Sequence, residues 1–288
     1  MAPHRAGILL LIGSVLLISC ADALAKLLTG PFSVMQIALF QSVAIFVSVP
    51  LLARDWRLLS FARTNRPVLH ALRSLCSLGS GLAFFTGLKH LPLAEIVAII
   101  FVGPLLVTVL AALILKERVE FRRWAACVTG FAGALIIVRP GFGDIGWTAM
   151  YPIAATSLYS IYVICTRMTA PTERHSTMMF YTCIASVVIL GASSPAYWVD
   201  PPPLGWVGLV SVAVFSAVSA GVAIKAYSLA PASMLAPYAY VEIVTATMFG
   251  FILFNDLPDP YTVVGATVIV ASGLYVFRHE RAGETVVR

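Results

Sequence analysis

The feature that most constrains the fold is a succession of apolar runs, each long enough to cross a lipid bilayer. Of the 288 residues, 60% are hydrophobic and 11% are charged, whereas a soluble domain is usually about one-quarter charged. A membrane-crossing helix needs roughly 20 mostly apolar residues. Ten such runs follow one another, at about 6–28, 33–53, 68–89, 94–115, 122–139, 146–167, 176–197, 204–227, 233–254 and 261–278. They predict an all-α integral membrane protein with ten transmembrane helices.

The distribution of Lys and Arg predicts how these helices are oriented. Loops rich in Lys and Arg stay on the cytoplasmic side of a membrane. With a cytoplasmic N-terminus, most basic residues between the runs fall inside, and the outside collects Asp144, Asp200, Asp256 and Asp259. The opposite orientation would invert this bias. We therefore expect a multi-pass membrane protein with both termini in the cytoplasm.

Two segments of similar layout, 88–139 and 227–278, predict an internal repeat. Pro92 and Pro231 differ by 139 positions, as do Glu117 and Asp256. The equivalent loops are opposite in charge, because 116–123 is basic and 255–260 is acidic. Five helices per half would insert the second copy upside down, as in many secondary transporters. We expect a first repeat over 5–140 and an inverted second repeat over 145–280 around a central cavity. Chance similarity of two apolar segments is the alternative.

Several other classes of protein are disfavoured by what the sequence contains. The net charge of +6 is dispersed between apolar runs, so there is no basic patch for nucleic acid. The five cysteines lie within apolar runs and form no close C-x-x-C pair, so neither disulfides nor a metal site are predicted. No phosphate-binding G-x-x-x-x-G-K-[ST] motif and no H-E-x-x-H motif occur, so we expect no cofactor and no catalytic residue. A channel or an intramembrane enzyme remains a remote alternative.

Short motifs near the middle of each half resemble a known family. Residues 87–95 read Gly-Leu-Lys-His-Leu-Pro-Leu-Ala-Glu and residues 115–118 read Leu-Lys-Glu-Arg. In the second half, residues 226–232 read Ala-Tyr-Ser-Leu-Ala-Pro-Ala and residues 240–242 read Tyr-Val-Glu. On these motifs the chain resembles the drug/metabolite transporter superfamily, EamA type. It departs from the family at Asn255-Asp256, where Gly-Glu is usual, and at Ile243, where Pro is usual.

The resemblance implies a fold and an activity. Members of the family share a ten-helix basket around a central substrate cavity and move small metabolites by alternating access. Within the family, the chain is similar to bacterial amino-acid exporters, including those for aromatic amino acids, and amino-acid efflux is the preferred prediction. It also resembles importers of riboflavin or nucleoside-like metabolites, and import of this kind is the alternative. The expected partners are a small-molecule substrate and the lipid bilayer.

Ionisable side chains inside a membrane are costly and usually face protein or water, which singles out two faces. On the first helix, Ser19, Asp22 and Lys26 share one face. The spacing of Asp22 and Lys26 suits an ion pair, so mutual neutralisation competes with a role for Asp22 toward a substrate ammonium or a proton. On the ninth helix, Tyr238 and Glu242 share a face, preceded by Pro237. A protonated Glu242 bonded to a neighbour is the alternative to a cavity-facing role.

The third helix and several aromatic residues complete the set of candidates. Arg73 either binds a substrate carboxylate or extends to the lipid headgroups, and aromatic rings either line a cavity or pack between helices. The candidates for substrate binding are Asp22, Arg73, Ser77, Ser80, Phe84, Phe101, Tyr159, Tyr238 and Glu242. Asp22 and Glu242 are also the candidates for proton coupling.

Small residues spaced by four predict close helix contacts in lipid. Gly79, Ala83 and Gly87 predict that the third helix packs within the basket. Ala126, Gly130 and Ala134 allow the fifth helix to pack on the tenth or on a second copy, so a weak homodimer is one alternative.

Overall fold

The computed structural model describes residues 2–53, 64–116, 119, 121–138, 146–230, 235 and 238–284, and within them the secondary structure is helical. The α-helices are α1 (Ala2–Leu28), α2 (Val34–Ala53), α3 (Pro67–His90), α4 (Leu93–Ile100), α5 (Gly103–Ile114), α6 (Phe121–Val138), α7 (Met150–Thr169), α8 (His175–Ser193), α9 (Pro203–Leu229), α10 (Val241–Phe254) and α11 (Pro260–Glu284). A short 3₁₀ turn, Gly146–Ala149, leads into α7, and another, Ser194–Ala196, follows α8.

Six helical segments in the described part of the chain are long and apolar enough to cross a membrane. They are Arg5–Leu28, Pro67–His90, Leu93–Ile114, Gly146–Thr169, Thr177–Ala196 and Pro203–Leu229. Four shorter apolar helices, Val34–Pro50, Trp124–Val138, Val241–Phe254 and Pro260–Tyr275, fall in the four remaining predicted runs. This agrees with an all-helical membrane protein that has six clear membrane-length helical segments in its described part, one of which, Leu93–Ile114, contains a break.

The fourth predicted span, 94–115, is not one continuous helix as expected from the sequence. It is divided into α4 and α5 by a turn at Phe101 and Val102. Pro104 stands in the first turn of α5, where its missing N–H costs nothing, but it cannot donate to a preceding helical turn. A second turn, at Tyr240, precedes α10. The rings of Phe101 and Tyr240 meet with their centroids 5.0 Å apart, so the two turns lie against each other.

Most of the packing joins helices from opposite halves of the sequence. The most extensive contacts are those of α1 with α9, α3 with α7, and α6 with α11. The main apolar core centres on α4, where Leu93, Ile96 and Ala98 are fully buried, and includes Leu88 of α3 and Leu209 of α9. The core therefore lies where the two halves meet.

Small residues set the distance between two of these helices, as the spacing predicted. A Cβ added to Gly133 of α6 would lie 2.8 Å from the carbonyl oxygen of Gly265 in α11. The two backbones are therefore in direct contact, and α6 packs on α11 within the same chain. Gly79 of α3 likewise approaches Leu158 of α7, which places the third helix inside the bundle.

Candidate functional site

Two carboxylates singled out in the sequence lie on either side of one contact between α1 and α10. The hydroxyls of Ser19 and Thr245 are 2.6 Å apart and share a hydrogen bond in which either is the donor. Asp22 follows Ser19 by three residues and Glu242 precedes Thr245 by three, so the two acids flank this contact, about one helical turn to either side of it. Asp22 is 5% exposed, and its carboxylate lies close enough to Glu242 for the two charges to interact.

Helix α10 begins one residue before Glu242. Its first residue is Val241, so Glu242 lies in the first turn, where unpaired backbone N–H groups favour a negative charge. Pro237, predicted to free a backbone carbonyl beside Glu242, lies outside the described residues. Tyr238 is half-buried and packs against a small apolar cluster that includes Leu11 and Leu235.

A group of tyrosines adjoins the carboxylate pair. Tyr159 of α7 lies near Glu242 and near Tyr227 of α9, and its ring centroid is 5.7 Å from that of Tyr162. Tyr159 and Tyr227 are 51% and 49% exposed, so neighbouring helices do not fully cover either ring. Tyr227 is a residue that the sequence analysis missed. Its signal was its place in the motif at 226–232, which was used only to recognise the family.

Tyr227, Tyr159 and Tyr162 form a group that we call the tyrosine row. Arg73 contacts its last member, Tyr162. Its guanidinium carbon is 5.4 Å from the centre of the Tyr162 ring, a cation–π distance. The side chain is buried at 1% exposure, and it donates hydrogen bonds to the Met178 carbonyl and, at 3.4 Å, to the Thr166 hydroxyl. The predicted alternative of an arginine extending to the headgroups is therefore wrong for this structure, because the guanidinium is turned into the contact between α3, α7 and α8.

The remaining candidates are placed in contacts between helices. Ser80 donates to the Ala155 carbonyl at 2.8 Å and so links α3 to α7. Phe84 packs against the main core beside Phe85, and Phe101 stacks on Tyr240. Ser77 is half-buried on α3. Of the predicted set, Asp22 and Tyr159 lie within electrostatic range of Glu242, and Arg73 is linked to Tyr159 through Tyr162.

Lys26 does not neutralise Asp22, although their spacing favoured that pair. Its ammonium is 3.0 Å from a carboxylate oxygen of Asp256, in the connection between α10 and α11. It also donates to the Leu91 carbonyl at 3.0 Å and lies 4.6 Å from the centre of the Phe254 ring. The alternative of an Asp22–Lys26 pair is therefore wrong, because Lys26 is engaged by the second half of the chain.

A separate polar cluster lies at the opposite end of α3. Glu173, between α7 and α8, accepts hydrogen bonds from the Thr64 hydroxyl at 2.8 Å and from the Asn65 backbone N–H at 2.9 Å. The Thr64 hydroxyl is the main reason that the pKa of Glu173 lies below its usual value. These bonds tie the chain before α3 to the connection between α7 and α8. Among the described residues, no group of three His, Cys, Asp or Glu side chains is arranged to hold a metal ion.

The sequence matches the model of a known protein family. The sequence model of the EamA-like transporter family matches the chain twice, over residues 5–139 and 146–278. A solved crystal structure resembles the fold with a TM-score of 0.62 at 20% sequence identity, over 93% of this chain and 96% of that chain.

Three relatives illustrate the range of substrates among similar proteins. An S-adenosylmethionine uptake transporter of Rickettsia prowazekii is 27% identical over 76% of this chain and 74% of its own length. A riboflavin transporter of Rhizobium johnstonii is 28% identical over 84% of this chain and 80% of its own length. A pseudopaline exporter of Pseudomonas aeruginosa is 23% identical over 96% of this chain and 98% of its own length.

Proposed function

We propose, from the premise that this chain belongs to the EamA-like transporter family, that it exports amino acids, including aromatic ones, by alternating access. Membership makes the protein a multi-pass membrane transporter of small molecules rather than an enzyme. The observation that carries the choice of substrate is the Asp22–Glu242 pair beside the tyrosine row. Carboxylates attract an ammonium group, and tyrosine faces hold both rings and cations. The substrate we propose has an amino group at one end and a flat ring at the other.

The carboxylate pair also suggests how transport is driven. Two carboxylates within electrostatic range of each other repel when both are charged, and a proton or a substrate ammonium relieves that repulsion. A site that holds either a proton or the substrate exchanges one for the other across the membrane. Proton entry would then drive substrate exit, with Asp22 and Glu242 as the coupling groups.

The architecture that we propose is two inverted five-helix repeats, over 5–140 and 145–280, in the bacterial inner membrane with both termini cytoplasmic. The packing between helices supports the internal repeat. A shift of 139 residues carries α3 (67–90) onto 206–229 of α9, and it carries 11–28 of α1 onto 150–167 of α7. The contact of α1 with α9 then becomes that of α7 with α3, and these are the two most extensive contacts. Phe101 and Tyr240, at the two helix breaks, differ by the same 139 positions.

A second candidate is uptake of a cationic nucleoside-bearing amino acid of the S-adenosylmethionine type. The Rickettsia relative is named for this substrate, which carries an amino acid, a positive sulfur and a flat base. The same carboxylates and tyrosines suit those groups. A neutral flavin, as carried by the Rhizobium relative, would leave the carboxylate pair without a charged partner, so this site favours it less.

A substrate panel in proteoliposomes tests the proposal. Radiolabelled phenylalanine, tryptophan, S-adenosylmethionine and riboflavin are each assayed for protein-dependent flux, with an imposed proton gradient in either direction. We expect flux of the aromatic amino acids, accelerated when protons move opposite to them. The matched control is Asp200→Asn, because Asp200 bonds the Trp198 indole at 2.9 Å, away from the pair. Flux of riboflavin alone would overturn the proposal, as would no flux of any substrate in the panel.

A further inference from the structure

Lys26 joins three separate parts of the chain at one end of the helix bundle. It belongs to the last turn of α1. Its ammonium donates to the Leu91 carbonyl, at the junction of α3 and α4, and to the Asp256 carboxylate, between α10 and α11, each at 3.0 Å. The Phe254 ring adds a cation–π contact at 4.6 Å. One side chain therefore ties both halves of the sequence together.

The backbone presents Asp256 to Lys26 through a defined turn. Asn255 ends α10 in the left-handed region, with φ of 57°, a conformation that Asn adopts more readily than most residues. The backbone N–H of Asp256 then bonds to the Gly250 carbonyl at 3.0 Å, which closes the helix end. This turn directs the acidic loop, whose charge opposes that of its equivalent in the first half, back over the end of α1.

The Lys26–Asp256 contact lies about one helical turn beyond Asp22, at the C-terminal end of α1. Lys26 follows Asp22 by four residues, which is about 6 Å along an α-helix and on the same face. A molecule that approaches Asp22 along this helix face from the C-terminal end of α1 meets the Lys26–Asp256 contact first. The positions of Lys and Arg predict that this end is the outer one.

We infer that the Lys26–Asp256 ion pair is a latch that closes the substrate site toward the outer face and breaks when the site opens there. The inference rests on the proposed function, since it assigns a gate to that same site. The exposed fractions of the two side chains, 13% for Lys26 and 35% for Asp256, suit a latch. Partial contact with water keeps such a pair weak enough to break during a transport cycle.

Accessibility of a reporter cysteine tests the latch without any substrate. In a background where the five native cysteines are replaced, Tyr159→Cys places a thiol in the site, and right-side-out vesicles are treated with a membrane-impermeant methanethiosulfonate. We expect Lys26→Met and Asp256→Asn each to raise the labelling rate about tenfold, which corresponds to about 1.4 kcal/mol. The exchanged pair, Lys26→Asp with Asp256→Lys, is expected to return most of the way to the parent rate.

Controls separate the latch from the fold and from the proposed function. Lys89→Met removes an exposed lysine at the end of α3 and should leave labelling unchanged. Size-exclusion profiles of every variant show whether the bundle is retained. Equal labelling in the parent and the single variants would overturn the latch, as would an exchanged pair that labels as fast as either single variant. Faster labelling only in inverted vesicles would overturn its assignment to the outer face. Because labelling needs no flux, a failed substrate panel would leave this result standing.

Discussion

Substituting Gly265 in α11 should separate two helices that the structure holds in backbone contact. A Cβ at this position would lie 2.5 Å from the Gly133 carbonyl oxygen and 2.5 Å from Cγ1 of Ile137. An ordinary Cβ contact begins at 3.4 Å, so α6 and α11 would have to move apart by about 0.9 Å. Ile137 and Ile269, both at most 1% exposed, would lose part of their packing.

The expected cost of Gly265→Ala follows from that displacement. Overpacking of a close contact costs about 1–3 kcal/mol, and the better helix propensity of alanine returns roughly 0.5–1 kcal/mol. For a chain of this size, 1 kcal/mol corresponds to about 2–4 °C in Tm. We expect Gly265→Ala to lower the midpoint of thermal unfolding in detergent by several degrees, and Gly265→Val to lower it further.

A matched glycine shows whether the loss comes from the contact. Gly13 lies in α1, and a Cβ added there would meet nothing within 4 Å. Gly13→Ala should therefore leave the midpoint unchanged or raise it slightly, because only the propensity term acts. The packing of α6 on α11 would be refuted if Gly265→Ala and Gly13→Ala shifted the midpoint equally.

Three further predictions concern other parts of the molecule. Ser14 and Ser219 exchange buried hydrogen bonds of 2.8–3.0 Å between α1 and α9, so each alanine variant should cost about 1 kcal/mol, and the double variant less than the sum. Thr64→Ala should raise the lowered pKa of Glu173 toward its usual value of 4.5. The lowered pKa of Glu173 stabilises the folded state above pH 4.5, and this stabilisation is lost as the pH falls through the lowered pKa. The thermal midpoints of variant and parent should therefore converge below pH 4.5. Tyr159→Phe should keep most of the flux, whereas Tyr159→Leu should lose it severalfold, since cation–π contact needs only the ring.

The helical architecture was largely predictable because lipid leaves few alternatives. A backbone inside a bilayer must satisfy its own hydrogen bonds, so an apolar run of sufficient length becomes a helix. The break of the fourth run was less visible. Pro104 signalled it, but apolar composition continues across Phe101 and Val102, and composition alone does not report a turn. The contact between Phe101 and Tyr240 depends on how two distant helices meet, which no local pattern encodes.

The sequence identified the residues whose burial in a membrane is costly. It did not identify the side chains and carbonyls with which those residues pair. Asp22 and Glu242 stood out because a carboxylate in an apolar run is expensive, and in the structure they flank the Ser19–Thr245 contact. The spacing along the first helix favoured an ion pair between Lys26 and Asp22. In the structure Lys26 instead bonds to Asp256, 230 residues away. Arg73 could not be placed either, because its acceptors, Met178 and Thr166, lie on other helices.

The central claim is that a carrier binds its substrate at the Asp22–Glu242 pair and exposes it to one side at a time. The most direct test is exchange in proteoliposomes, with efflux of labelled phenylalanine measured with and without unlabelled phenylalanine outside. We predict that external substrate accelerates efflux from the parent protein and from Asp200→Asn, and that Glu242→Gln, folded to the same degree, loses this acceleration by about tenfold or more. Efflux that ignores external substrate, or acceleration that is undiminished in Glu242→Gln, would contradict the account.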